Sequence, residues 1–466
     1  MANKLYIFGI GGTGSRVIKA LSMLFASGAK LDNGFDTVVP IIIDPDISNG
    51  DLNRTKDILK LYQEIRANVD YPNDFYAQDV KTVQNLKNDA SSINGAGFQF
   101  QIEGASGAKF KDFISYNNLT DDDKSFISSL YSNENLNADL SIGFKGNPNM
   151  GSIVLNQFTQ SKDFQDLGLS FSQGDAIFII NSIFGGTGAA GFPLILKNLR
   201  HGADIPNSAV VRQAPIGNTT YLPYFKLTSG EIDSDSFLEK TKSALEYYNR
   251  TIIAQGEVNA MYLLGDNGTT STYDNHVGQM KQKNDAHFLE VAGALAIFDF
   301  CKNISNYPNG NTQVKEFGVN NNSDNLSFAD LHVDDNSFIA KPLKKFSLYA
   351  EYLDKGLKKA LGVSRWTIKK TQLTKSFFTK DEYKEQVLKF NDHFNKWLDE
   401  LASNKPSFSP LDNIRKIDSD KRKSLFKDLD CLNSKMVNPP KEEPVLTPLI
   451  KLFGETTEKL IENKKL

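Results

Sequence analysis

Short apolar runs that end at glycine, asparagine or aspartate recur along roughly the first two thirds of the chain, and each is followed by a segment of helical spacing. Residues 4–9 read as a short buried strand. Residues 16–26 read as a helix with Val17, Ile18, Leu21, Leu24 and Phe25 on one face, and 37–43 as a second strand that stops at Asp44-Pro45-Asp46. Strand, turn, helix and strand in that order predict an α/β fold on an open, mostly parallel sheet. Ligands of such sheets bind at the carboxyl edge of the strands, which is where Asp44 and Asp46 fall. The pattern continues with a strand at 176–181, a helix at 192–199, a strand at 209–211 closing at Pro215, a helix at 237–253 and a strand at 258–264. After a polar loop over 266–283, residues 286–301 carry Ala, Leu, Val and Phe all round. That composition predicts a central helix buried on most sides.

Two regions depart from this rhythm. From 47 to 141 the pattern is mixed, with a helical run at 58–65, alternation at 98–102 and many Asn, Asp and Ser, so it reads as an insertion with elements of its own. Beyond residue 302 the composition shifts towards Asn and Lys, first as a loop over 303–325 and then as a largely helical remainder. The chain therefore divides into an α/β domain over 1–302 and a divergent C-terminal domain over 303–466. Thr379-Lys380-Asp381-Glu382 has the form of a capping box, and the stripe Tyr383, Phe390, Phe394, Trp397, Leu401 behind it reads as core.

Composition adds mainly exclusions. With 53 basic and 56 acidic residues the net charge is −3, which gives no global field for nucleic acid or anionic membrane. Only Cys301 and Cys431 are present, which excludes a cysteine framework and fits a reducing, cytoplasmic setting. No stretch reaches the length of a membrane span. The five histidines lack metal-site spacing, and neither a Gly-x-Ser-x-Gly elbow nor a P-loop lysine occurs.

The chemistry therefore concentrates in three glycine-rich segments, Gly9 to Ser15, Gly146 to Gly151 and Gly185 to Gly191. The first and third follow an apolar strand and precede a helix, where bare amides and a helix N-terminus hold phosphate oxygens. In the first, Gly11, Gly12, Thr13 and Gly14 would bring backbone to a diphosphate, with Ser15 adding a hydroxyl. In the second, Asn147 and Pro148 after Gly146 would fix a bend that offers amides to a terminal phosphate. In the third, Gly185, Gly186 and Gly188 would supply positive φ and close approach while Thr187 donates its hydroxyl. Asp44 and Asp46 suit a ribose contact or a hydrated Mg2+ that shares phosphate oxygens. Each segment also has a plainer reading: a dinucleotide or adenylate fingerprint, an Asn-Pro surface turn, a tight strand-to-helix connection.

In this order, with Gly-Asn-Pro-x-x-Gly in the middle and Gly-Gly-Thr-Gly after a hydrophobic strand, the segments resemble the FtsZ/tubulin superfamily, and within it the divergent bacterial tubulin-like proteins. The resemblance covers residues 3–301 in scattered blocks. It implies GTP or GDP as ligand, head-to-tail self-assembly into filaments, and slow GTPase activity completed across the subunit junction. It places Asn284 and Asp285 at the base-contacting start of the central helix, and Asp330, backed by Asp334 and Asp335, in the segment that orients the attacking water. The pattern also departs from the family: Arg16 stands where FtsZ has a base-contacting Asn, Phe184 and Ala190 replace signature glycines, and Ser327 replaces a first Asp. Two alternatives stay open. One is a ThiF-like or Rossmann nucleotide-dependent enzyme using Asp44 on the ribose; the other is a GTP-binding scaffold without turnover that acts through an unidentified protein partner.

Overall fold

The computed structural model describes residues 3–464 except 71–73, 88–96, 101, 103, 106, 145–146, 203–204, 229–236, 267–270, 275, 277–279, 309, 318–324, 332–336, 369–370 and 439–440. Its centre is an α/β layer structure. The strands are β1 (Asn3–Ile10), β2 (Phe35–Ile43), β3 (Asp79–Val80), β4 (Gln99–Phe100), β5 (Ala176–Ser182), β6 (Ile216–Tyr221), β7 (Ala260–Leu264) and β8 (Gln313–Phe317). They form one sheet in the order β8-β7-β6-β5-β1-β2-β3, with β4 joining the last two residues of β2. Every pairing in it is parallel. A parallel sheet needs cover on both faces, which is why β1, β2 and β5 read as almost unbroken apolar runs. Leu5, Ile7, Phe8, Ile42 and Phe178 to Ile180 have no exposed surface, and burial of each such side chain is worth about 1.5–3 kcal/mol.

The main helices are α1 (Gly11–Ala26), α2 (Gly50–Ala67), α3 (Pro148–Leu155), α4 (Gly186–His201), α5 (Phe237–Tyr248) and α6 (Phe288–Asn303), followed in the C-terminal region by α7 (Ala340–Lys355), α8 (Leu388–Ser403), α9 (Ser419–Met436) and α10 (Thr447–Lys464). The central helix α6 is buried on most sides, as its composition predicts, leaving only the stripe Leu295, Asp299, Lys302 and Asn303 partly exposed or exposed, and it begins two residues later than expected. Its N-cap is His287, not Asn284 or Asp285. The His287 ring accepts from the Leu289 amide while Glu290 reaches back to the His287 amide, a reciprocal cap that a search for Ser, Thr, Asp or Asn does not see.

Four local expectations are corrected. Residues 209–211 belong to the short helix Ser208–Gln213, and the strand is β6, immediately after Pro215. Three apolar residues cannot separate strand from helix, and β6 hides behind polar letters. Asn218 and Thr220 are fully buried yet satisfied, with Asn218 Nδ2 donating to the Ile179 carbonyl at 3.0 Å and to Asn181 Oδ1 at 2.9 Å, and Thr220 Oγ1 donating to Asn181 Oδ1 at 3.1 Å. The 303–325 loop contains β8, an edge strand that pairs with β7 alone and so needs little apolar surface. Thr379 makes no capping box; its hydroxyl donates to the Ser376 carbonyl. The 47–141 segment opens with α2, whose Leu52, Ile58, Leu59, Tyr62 and Ile65 are buried, and adds β3 and β4 to the sheet edge, so much of it is woven into the sheet region.

The C-terminal helices do not stand apart either. Phe75 and Tyr76, just before β3, pack on Phe346 of α7 at ring separations of 5.0 and 5.8 Å, and Tyr76 meets Phe390 of α8 at 5.3 Å. Buried side chains form one continuous cluster from Leu5 to Ile461. No described helix is long and apolar enough to cross a membrane.

Candidate functional site

The strand order reverses between β1 and β5, since β2 and β3 run outward on one side and β6 to β8 on the other. A crevice opens at such a switch point, outside the carboxyl ends of the two strands. The helices that leave these strands, α1 and α4, both begin there. Neither N-terminus has a capping side chain: the N-cap of α1 is Ile10 and that of α4 is Gly185. Their first-turn amides therefore point at the crevice with no side-chain acceptor, and both helix dipoles put positive potential there.

Gly11 makes this possible with φ +71°, a left-handed turn that swings the chain from strand directly into helix. A Cβ built on Gly11 would lie 3.5 Å from Thr187 Cβ, so the first and third glycine segments touch across the crevice. Positive φ is confined to the first of them, because Gly185, Gly186 and Gly188 all avoid that region. Gly14 and Gly188 serve close packing instead: a Cβ on Gly14 would lie 2.4 Å from the Gly9 carbonyl carbon, and one on Gly188 would lie 2.6 Å from the Ser182 carbonyl oxygen. Each lets a helix sit directly against its strand.

The crevice has a volume of about 150 Å³. Gly11, Gly12, Thr13, Asp44, Asp46, Gly185, Gly186, Thr187, Gly188 and Asn284 all line it, joined by Arg16, Ser182, Phe184, Gln282 and residues 142–144. Four anticipated residues fall elsewhere. Ser15 is fully buried and donates its hydroxyl to the Gly11 carbonyl at 3.2 Å, so the helix turns it inward. Gly14 backs on to β1. Asn147 caps α3, its side chain accepting from the amides of Asn149 and Met150 at 3.1 and 3.3 Å, so those amides are already paired within the helix; its own amide donates to the carbonyl of the lining residue Phe144 at 2.7 Å. Gly146 lies outside the described residues. Asp330 sits on the short helical turn Ala329–Leu331, away from the crevice lining, and accepts from the amide and hydroxyl of Ser327 at 2.7 and 2.8 Å. Asp334 and Asp335 lie outside the described residues.

The electrostatics of the lining come from backbone more than from cations. Arg16 is 3% exposed and is consumed by Glu290 (2.5 Å) and Asp51 (2.9 Å), with Tyr224 and Thr13 completing its bonds. Burial opposes its charge, but Tyr224, Glu290 and Asp51 together hold its pKa well above the ordinary value. Asp44 is buried, and its Oδ1 accepts the Asp46 amide at 3.0 Å. Burial, reinforced by the charges of Asp46 and Asp51, pushes the Asp44 carboxyl up to about 7. Asp46 in turn accepts from the amide and hydroxyl of Ser48. Among the described residues no group of three or more His, Cys, Asp or Glu is placed to hold a bare metal ion. Asp44 and Asp46 line the crevice together with the first-turn residues of α1 and α4.

A larger groove, about 830 Å³, lies beside the 184–185 turn between α3, α4 and α5. Its walls mix apolar side chains such as Pro193, Leu194 and Ala244 with the charged Lys197, Glu239, Lys240 and Glu257. None of the first-turn residues of α1 lines it, whereas the smaller crevice gathers the first-turn residues of both α1 and α4.

The residues missed in the sequence are the charged ones behind the crevice: Asp51, Arg54, Glu290 and Glu400 are buried and ion-paired. A signal was available for Glu290, the one acidic residue in the first three turns of an otherwise apolar helix, because a charge there demands a buried partner.

No family model and no curated protein matches the chain. Solved structures do match, and they are tubulin/FtsZ-family proteins. CetZ from Methanosaeta thermophila is similar over 66% of this chain and 52% of its own, at 15% identity and a TM-score of 0.29. CetZ2 from Haloferax volcanii, in a GTPγS-bound protofilament, is similar over 65% of this chain and 62% of its own, at 12% identity and a TM-score of 0.31. TubZ from Bacillus thuringiensis serovar israelensis, in a GTPγS-form protofilament, is similar over 88% of this chain and 84% of its own, at 13% identity and a TM-score of 0.27. The chain thus spans little more than half the length of the two CetZ chains.

Proposed function

We propose that the chain is a divergent tubulin-like protein that binds a nucleoside polyphosphate, GTP or GDP, in the crevice between α1 and α4 and assembles head to tail. The observation that carries this reading is the meeting of two uncapped helix N-termini at one switch point, with Gly11 against Thr187. A polyphosphate would take its bonds from amides in the first turns of both helices and from the Thr187 hydroxyl. Asp44 and Asp46 would hold a hydrated Mg2+ beside the phosphates, and Asn284 would meet the base edge. Guanine is proposed over adenine on the family resemblance of the glycine segments, although Arg16 stands where that family has a base-contacting Asn.

Hydrolysis is the finer part of the proposal. Asp330, outside its own crevice, would act only on the nucleotide of a neighbouring copy, as a head-to-tail contact would allow. A scaffold that binds nucleotide without turnover is the competing reading, and the Asp330 carboxylate already held by Ser327 favours it.

Identification of the nucleotide that co-purifies with the protein, followed by titration calorimetry with GTP, GDP and ATP, tests binding. No co-purifying nucleotide and no saturable heat at millimolar nucleotide would remove the reading. Sedimentation with GTP and with GDP tests assembly: pelleting that does not depend on the nucleotide would remove the filament claim and leave binding intact.

A further inference from the structure

We propose that Glu400, on α8 in the C-terminal region, is a positioning residue for the base side of the nucleotide crevice, an inference that deepens the nucleotide-binding reading above and depends on it for its ligand. The geometry is a buried chain of six alternating charges. Glu290 of α6 pairs with Arg16 of α1 at 2.5 Å, Arg16 with Asp51 of α2 at 2.9 Å, Asp51 with Arg54 at 2.8 Å, Arg54 with Glu400 at 2.6 Å, and Glu400 with Lys19 of α1 at 3.3 Å. With Lys19 protonated three cations balance three anions, while burial and the neighbouring Arg54 lower the Lys19 pKa, so the chain is intolerant of losing one member. All six are buried.

This chain ends on the crevice wall at Asn284. The Asn284 carbonyl accepts from Arg54 Nη2 at 2.6 Å, and its amide donates to Asp51 Oδ2 at 3.3 Å. Two residues on, the Ala286 amide donates to Glu400 Oε2 at 3.1 Å, and the Ala286 carbonyl accepts from Asn404, just past the end of α8, at 2.9 Å. The backbone that carries Asn284 is therefore held at Asn284 by Asp51 and Arg54 of α2, the latter paired with Glu400, and at Ala286 by Glu400 and Asn404 themselves. The phosphate side is not, since the first-turn amides of α1 and α4 are placed by Gly9, Gly14, Gly188 and Ser182. A C-terminal helix more than a hundred residues away in sequence thus bears directly on one end of the site and meets α1 at Lys19, two turns past the first turn of that helix.

The test is the double variant Glu400→Met with Lys19→Met, which removes one charge of each sign and leaves Arg54 paired with Asp51, beside the single variant Glu400→Gln. In the ligand-free double variant, amide exchange over 284–288 quickens while exchange in β1 and β5 stays at the wild-type rate. GTP binds about tenfold more weakly, a size typical of coupling through a packed network, while inorganic tripolyphosphate binds as before. Weakening of both ligands together would mark a general loosening and overturn the proposal, as would unchanged exchange over 284–288. If wild-type protein binds neither ligand, the nucleotide reading fails, and the ligand-free exchange at 284–288 still decides whether Glu400 positions that wall.

Discussion

Two of the three glycine-rich segments open into the crevice and the third closes on itself. At α1 and α4 the residue before the helix is Ile10 or Gly185, neither of which has a side chain that can accept a hydrogen bond, so the first-turn amides stay available. At α3 the residue before the helix is Asn147, which takes up two of those amides, with Pro148 behind it in a position where no amide is needed. The letters look alike, yet one kind of helix start leaves its first-turn amides without a side-chain acceptor and the other is a finished cap. A ligand site at a helix N-terminus requires that the chain withhold its own cap there.

The strongest way to break this comparison is to remove the packing that lets the open starts exist. Gly14→Val and Gly188→Val each drive a side chain into backbone, so each is expected to cost about 3 kcal/mol of stability or prevent folding, as read by urea unfolding; a fold as stable as wild type would show that the helices do not need to sit so close to their strands. Next in size is the pH response of Asp44. Its folded-state pKa near 7 lies above the ordinary carboxylate value of about 3.9, so the folded protein binds the extra proton. The stability it contributes is complete below about pH 4 and is lost as the pH rises through about 7. Asp44→Asn should flatten that slope, and unfolding curves at about pH 5 and about pH 8 that keep the wild-type difference would assign the slope to another group.

Thr187→Val sharpens the comparison at the open end. It keeps the shape and deletes the hydroxyl, so nucleotide affinity should fall about tenfold, or ~1.4 kcal/mol, with the melting temperature unchanged. The smallest expected effect belongs to the closed end. Asn147→Ala should lower stability by about 1 kcal/mol through loss of the cap while nucleotide affinity stays within about twofold of wild type. A loss of affinity as large as that of Thr187→Val would place the second segment among the phosphate ligands and dissolve the distinction.

Much of the crevice lining was legible because strand ends and glycines are local signals. Gly11, Gly12, Thr13 and the 185–188 turn line the crevice as their spacing suggests, and Asp44 and Asp46 fall at the carboxyl edge of β2. Ser15 was misread because a hydroxyl four residues into a helix has a competing acceptor, the carbonyl one turn back. The strand β6 was missed because its polar side chains are satisfied by Asn181, a residue on the neighbouring strand that no local window contains.

The sequence by itself determined the alternation of strands and helices, the glycine breaks at the ends of β1 and β5, and the apolar circumference of α6, since these depend on residues within a turn or two of one another. Only the tertiary structure decided which helix starts remain uncapped, that Arg16 is spent on Glu290 and Asp51, and that Glu400 reaches back to the wall at Asn284. Those outcomes depend on partners up to 381 positions apart. Burial removes the water that would otherwise satisfy each charge, so which distant group meets it is set by how the elements pack.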